Sequence, residues 1–254
     1  MEINIDGLKI NYINKGKGAN VLLLHGWGVN LELYRNIINE LSRYCNVYAL
    51  DLPGFGKSDE PKEIWNLDKY VSIVQKFIEK MEIDNLSLIG HSFGGRIIIK
   101  LANKNGLEFK INKIILMGSA GIKPKLKFRK KVRIMFYKFC KKIVSINYIK
   151  KNHPNLMNKL KSKFGSADYK NASEVMRGCL VKVVNEDLTN LLANITNETL
   201  LIWGTKDTAT PIEDGRKMNK LIKNSKLVEI DGATHYAFLE QPLYINSLLE
   251  KFLN

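Results

Sequence analysis

Six short apolar runs, each stopping at a glycine, an aspartate or a histidine, constrain this chain more than any other feature. Val21–Leu24 runs into His25-Gly26, Val47–Leu50 into Asp51 and Leu86–Ile89 into Gly90. Ile114–Met117 runs into Gly118, Thr199–Trp203 into Gly204 and Lys226–Ile230 into Asp231. Runs of this length, rich in Val, Ile and Leu, are what strands buried on both faces require. Between them lie apolar residues at helical spacing: Leu33, Ile37, Ile38 and Leu41; Tyr70, Val74, Phe77, Ile78 and Met81; Ile97, Ile98, Leu101 and Ala102. Alternating strands and helices predict an α/β fold with a mostly parallel, doubly wound sheet of about eight strands, its functional residues at the carboxyl ends of the strands. The opening residues Ile3–Ile5 and Lys9–Ile13, around Asp6-Gly7, predict a hairpin at the sheet edge.

The rhythm breaks between Ile122 and Asn194, where only helical patterns remain. Residues 122–194 are therefore expected to form a helical lid inserted into a core of residues 1–121 and 195–254. Charge sets the same stretch apart. Sixteen of the 40 basic residues, but only one of the 25 acids (Asp168), lie between Ile122 and Lys170. That segment carries the whole net charge of +15, and the remainder is neutral. Within it Phe128, Val132, Met135, Phe139, Ile143 and Ile146 form a stripe among lysines and arginines. A stripe packed over a site, with cations in water, is the plain expectation. The same charge fits an acidic partner, an anionic acyl substrate or an anionic surface. No recognised nucleic-acid module accompanies it, so nucleic acid is not expected.

At 254 residues and 45% hydrophobic content, the chain can bury a large single core and is neither disordered nor fibrous. No stretch approaches ~18 uninterrupted apolar residues, so no transmembrane helix is expected. Met1–Asp6 lacks a basic stretch followed by an apolar run. Cys45, Cys140 and Cys179 have neither disulfide-framework nor metal-ligand spacing. A cytoplasmic protein without a bound metal is expected.

The chemistry concentrates at Gly90-His91-Ser92-Phe93-Gly94-Gly95, between a predicted strand and a predicted helix. A G-x-S-x-G in that setting lifts a serine hydroxyl above the sheet on a sharp turn, and the helix N-terminus faces charge that develops beside it. Ser92 is the candidate nucleophile. Of four histidines, His235 follows the last predicted strand and is the candidate base. His91 should point away from its neighbour, His25 should brace its own turn, and His153 falls in the basic insert. Asp207, in Gly204-Thr205-Lys206-Asp207, is the candidate orienting acid, since Gly118-Ser119-Ala120-Gly121 offers no carboxylate after the neighbouring strand. Asp51, in Asp51–Gly56, is expected to structure a turn. Backbone N–H groups of Trp27 and Phe93 are the candidate oxyanion donors. His25, Phe128 and Phe136 are candidate pocket residues.

Taken together, His25-Gly26-Trp27-Gly28, Asp51–Ser58, Gly90–Gly95, Gly204–Asp207 and Gly232–His235 resemble the α/β-hydrolase superfamily in order and spacing, over nearly the whole chain. Carboxylesterases, carbon–carbon bond hydrolases of aromatic breakdown and the pimeloyl-carrier-protein methyl ester esterase share such a core. The serine separates this chain from the dehalogenase and epoxide hydrolase branches, which use aspartate. The resemblance implies a serine hydrolase acting on a small-molecule ester or thioester without a cofactor. Carbon–carbon hydrolysis and acyl transfer through the same three residues are the alternatives, and a ligand-binding or signalling protein on a hydrolase scaffold is a third.

Overall fold

The computed structural model describes residues 1–123, 169 and 172–254. Eight strands form one sheet: β1 (Glu2–Ile5), β2 (Leu8–Lys15), β3 (Ala19–Leu24), β4 (Cys45–Leu50), β5 (Asn85–His91), β6 (Lys110–Met117), β7 (Glu198–Gly204) and β8 (Ser225–Ile230). Their spatial order is β1-β2-β4-β3-β5-β6-β7-β8. The β1–β2 and β2–β4 pairs are antiparallel and all others parallel. The first hairpin turns on Asp6 and Gly7, both at positive φ, as a tight two-residue turn between twisted strands demands.

The α-helices among the described residues are α1 (Arg35–Leu41), α2 (Leu67–Lys80), α3 (Phe93–Leu101), α4 (Glu174–Asn185), α5 (Ile212–Leu221), α6 (Ala237–Glu240) and α7 (Pro242–Leu253). Each central strand feeds two cores, because successive side chains point to opposite faces. Leu22, Leu24, Leu88, Ile114, Leu116, Leu201 and Trp203 face α2, α3 and α5. Val21, Leu23, Ile89, Ile115, Met117, Leu200 and Ile202 face α1 and α7. This is why the runs are apolar without alternation. Strand β8 departs from that expectation. Only Ile230 in it is buried, because β8 has a single neighbour, and Glu229 takes a two-pronged hydrogen bond from Arg216 across the open edge. A charged edge discourages pairing with other chains.

Parallel register brings Leu24 opposite Gly90, Gly90 opposite Leu116, Met117 opposite Ile202 and Gly204 opposite Ile230. With Leu50 of β4 also opposite Leu24, the six loops after β3, β4, β5, β6, β7 and β8 therefore leave the sheet along one rim. Helix α4, in the stretch expected to be a lid, buries Met176, Cys179 and Val183 in the same core as α2 and α3. The Trp65 N–H donates to Cys179 Sγ at 3.1 Å, and Arg96 of α3 donates to the Glu186 carbonyl at 2.7 Å. Residues 124–168, 170 and 171 hold the apolar stripe, most of the basic cluster, Phe128, Phe136, Cys140 and His153. They lie outside the described residues.

Candidate active site

Ser92 joins β5 directly to α3 with φ 51° and ψ −108°, a left-handed conformation that costs an L-residue on the order of 1–3 kcal/mol. The glycines around it are sterically required. A Cβ on Gly90 would lie 2.6 Å from Ile98 Cδ1, on Gly94 2.2 Å from the Leu24 carbonyl oxygen, and on Gly95 1.9 Å from Ser119 Oγ. The turn is pinned by its backbone: Ser92 N–H donates to Met117 O at 3.1 Å, while Ser92 O accepts from Gly95 and Ala120 N–H at 3.1 and 3.0 Å.

Asp207 and His235 arrive from the loops after β7 and β8 and meet at 2.7 Å, His235 Nδ1 to Asp207 Oδ2. That contact places the imidazole proton on Nδ1 and leaves Nε2 free to accept one. The Asp207 side chain is fully buried. Oδ1 accepts from the N–H groups of Ala209 and Thr210 at 2.8 and 2.9 Å, and the Thr210 hydroxyl lies 2.8 Å from Oδ2. Burial alone would raise this carboxyl. Hydrogen bonds from His235 and Thr210 outweigh it and hold Asp207 below the usual carboxylate range. Gly118, at φ 46°, leaves room for the pair: a Cβ there would lie 3.2 Å from both Asp207 Oδ2 and His235 Nδ1. Ser92 Oγ forms no hydrogen bond to His235 or to any other of the described residues.

The His25–Gly28 loop lies against the elbow, since a Cβ on Gly26 would be 3.4 Å from Ser92 Cβ. The backbone N–H groups of Trp27 and Phe93 donate to no acceptor among the described residues, while their rings pack edge-to-face at 5.2 Å between centroids. His25 is fully buried. Its Nε2 accepts from Leu52 N–H at 2.9 Å, and its Nδ1 donates to Gly26 O at 2.7 Å. Burial pulls its pKa from 6.5 to about 4. Asp51 is buried too. It accepts from Leu31 N–H, Lys57 N–H and Asn11 Nδ2 at 2.9, 2.9 and 2.7 Å, tying the loop after β4 to the loop after β3.

A cleft of about 280 Å³ opens beside Trp27 and Gly28, walled by Gly54, Phe55, Glu60, Ala172, Ser173 and Met176. Among the described residues no group of three His, Cys, Asp or Glu side chains could hold a metal ion. No helix among them is long and apolar enough to cross a membrane.

Two residues of this site carry no sequence motif of their own. Thr210 stands three residues after Asp207, a spacing at which an aspartate bonds the backbone ahead of it, and that is the one local signal available. Tyr34, whose hydroxyl contacts His91, has none.

Strand order, elbow and rim loops coincide with one family, and residues 19–141 and 137–242 match its model, the alpha/beta hydrolase fold. This chain belongs to the alpha/beta hydrolase fold family. Among similar family members is a pimeloyl-(acyl-carrier protein) methyl ester esterase of Wigglesworthia glossinidia brevipalpis. It is 30% identical over 258 residues, covering 94% of this chain and 95% of its own length. A 2-hydroxy-6-oxo-6-(2'-aminophenyl)hexa-2,4-dienoic acid hydrolase of Metapseudomonas resinovorans is 28% identical over 254 residues, covering 94% of this chain and 86% of its own. Among solved hydrolase structures, a meta-cleavage product hydrolase from Pseudomonas fluorescens superposes with a TM-score of 0.75 at 22% identity, over 100% of this chain and 97% of its own.

Proposed function

We propose that this hydrolase cleaves a carboxylic ester or thioester of a small molecule through an acyl-enzyme on Ser92. One observation carries the reading: a strained serine at a strand-to-helix turn shares a rim with a histidine whose Nδ1 is held at 2.7 Å by a buried carboxylate. In this scheme His235 Nε2 takes the Ser92 proton as Oγ attacks the acyl carbon. Trp27 and Phe93 N–H groups receive the oxyanion, and Phe93 also stands at the N-terminus of α3, where the helix favours negative charge. His235 then protonates the departing alcohol or thiol, and water, activated by the same nitrogen, releases the acid. Asp207 stays ionised throughout and holds the imidazole. The cleft at Trp27, Phe55 and Met176 accepts the acyl or alcohol portion, with Ala172 and Ser173 completing its wall. The basic segment 122–170 suits a substrate or partner carrying negative charge.

The same groups serve carbon–carbon hydrolysis, and the dienoic acid hydrolase relative supports keeping that as the second reading. The test is hydrolysis of p-nitrophenyl esters from acetate to decanoate by wild type beside Ser92→Ala. Activity is expected to fall by a factor on the order of 10³ or more in the variant, and the preferred chain length sizes the pocket. Unchanged turnover in Ser92→Ala would falsify the assignment. A wild type inert on every ester but active on a vinylogous 1,5-diketone would favour the second reading.

A further inference from the structure

Behind the candidate active site, Tyr34 is fully buried, its ring stacked on Phe238 with centroids 4.8 Å apart and planes 17° apart. A phenylalanine would fill that volume equally well. The hydroxyl, however, reaches two polar groups, Gly26 N–H at 3.2 Å and His91 Nδ1 at 2.7 Å. His91 is buried as well, and its Nε2 faces the His235 carbonyl oxygen at 3.0 Å. With His91 buried and neutral, only one arrangement of protons satisfies all three contacts. A carbonyl can only accept, so His91 carries its proton on Nε2 and donates to His235 O. Its Nδ1 must then accept, so the Tyr34 hydroxyl donates to it. The phenol oxygen is left to accept from Gly26 N–H.

We propose that the Tyr34 hydroxyl is a positioning group that, through His91, holds the oxyanion loop and the base loop in register around Ser92. The inference rests on the acyl-enzyme reading above. Each contact lands on a different loop of the rim: Gly26 before the Trp27 donor, His91 before the nucleophile, and the backbone of the base His235. Gly26 is gripped on both sides, at N–H by Tyr34 and at C=O by His25 Nδ1. Its carbonyl shares one planar trans peptide with Trp27 N–H, so fixing the carbonyl aims the donor. Tyr34 itself has no hydrogen bond to Ser92, Asp207 or His235 side chains, so it acts through the backbone it holds. Without the hydroxyl, Gly26 N–H loses its acceptor in a buried site and His91 Nδ1 loses its donor.

The intact chain and a fluorophosphonate probe test this without knowledge of the natural substrate. Labelling of the serine is followed by intact mass, giving a maximal rate and a half-saturating probe concentration. Wild type, Ser92→Ala, Tyr34→Phe, His91→Leu and the Tyr34→Phe/His91→Leu double variant are compared. Ser92→Ala should not label. Tyr34→Phe should lose about tenfold or more in maximal rate, with half-saturation within about twofold. The double variant should lose no more than the worse single variant, as members of one relay do. Wild-type labelling rates in Tyr34→Phe, a change in half-saturation alone, or losses that multiply in the double variant would each overturn the relay. If His91→Leu does not fold, the split between rate and half-saturation in Tyr34→Phe decides alone. Labelling that persists in Ser92→Ala, or a wild type that never labels, fails the acyl-enzyme reading instead and the relay with it.

Discussion

His25 and His91 spend both ring nitrogens on protein partners, and neither meets water. Burial brings His25 to about 4; burial, then the nearby His235, brings His91 to about 3. The sign follows from linkage. Both pKa values are depressed in the folded state, so between about pH 6.5 and about pH 4 the unfolded chain binds protons that the folded chain refuses. Stability is full above about pH 6.5 and falls as the pH drops through that window. For His25 alone, the fall from 6.5 to about 4 corresponds to on the order of 3 kcal/mol. Urea unfolding at about pH 7.5 and about pH 5 should show about 2 kcal/mol of that loss from His25 in wild type, since pH 5 reaches only part of the window, and a smaller total loss in His25→Gln. Equal losses in both would mean that other groups govern the slope. Ser92, Asp207 and His235 are legible in the sequence because each ends or follows an apolar run. Tyr34 is not, because its partner His91 lies 57 residues away and nothing local marks the pairing. His25 was expected to brace its own turn, and its hydrogen bond to Gly26 O does that; its bond from Leu52, on another loop, had no local mark.

Helix α3, which carries the nucleophile at its start, is tied to helix α4, which lies in the stretch expected to be a lid. Buried Arg96 of α3 donates to the carbonyl of Glu186, just past the last turn of α4, where backbone acceptors have no helical partner. Lys100, one turn on, pairs with Asp68 at 2.7 Å and with Glu186. Arg96→Met should cost about 1 kcal/mol, the loss of a hydrogen bond to the part-buried Glu186 carbonyl, and should speed proteolytic cleavage within 172–194 while Ser92 still labels. Cleavage at the wild-type rate would show that α4 is held by its apolar face alone. At this scale the central strands are legible because burial on both faces writes an unmistakable run, while β1 and β2, partly exposed, are legible through their Asp6-Gly7 turn. Strand β8 reads as a buried run yet is largely exposed, because an edge position is a property of the sheet's order and not of the run itself. Helix α7 carries the stripe Ile245, Leu248, Leu249 and Phe252, a signal that strand-centred patterning passes over.

Across the whole molecule, a neutral α/β body carries one basic segment, and that division of charge is plain in the sequence. What no local pattern conveys is how a strand order of 1-2-4-3-5-6-7-8 gathers residues 25–28, 92, 207 and 235 onto one rim. The left-handed Ser92 bears on the whole chain's endurance. Glycine adopts positive φ without the steric penalty that any Cβ incurs. Ser92→Gly should therefore melt higher than Ser92→Ala by roughly 1 kcal/mol in stability, inverting the usual ranking in which alanine is the steadier choice. Thermal melts of the two variants check this, and an alanine variant that melts higher would mean the turn is unstrained. Heat survival, as the sole criterion of selection, would erase the hydroxyl in favour of glycine. A chain that keeps serine at this turn has been held to a different criterion.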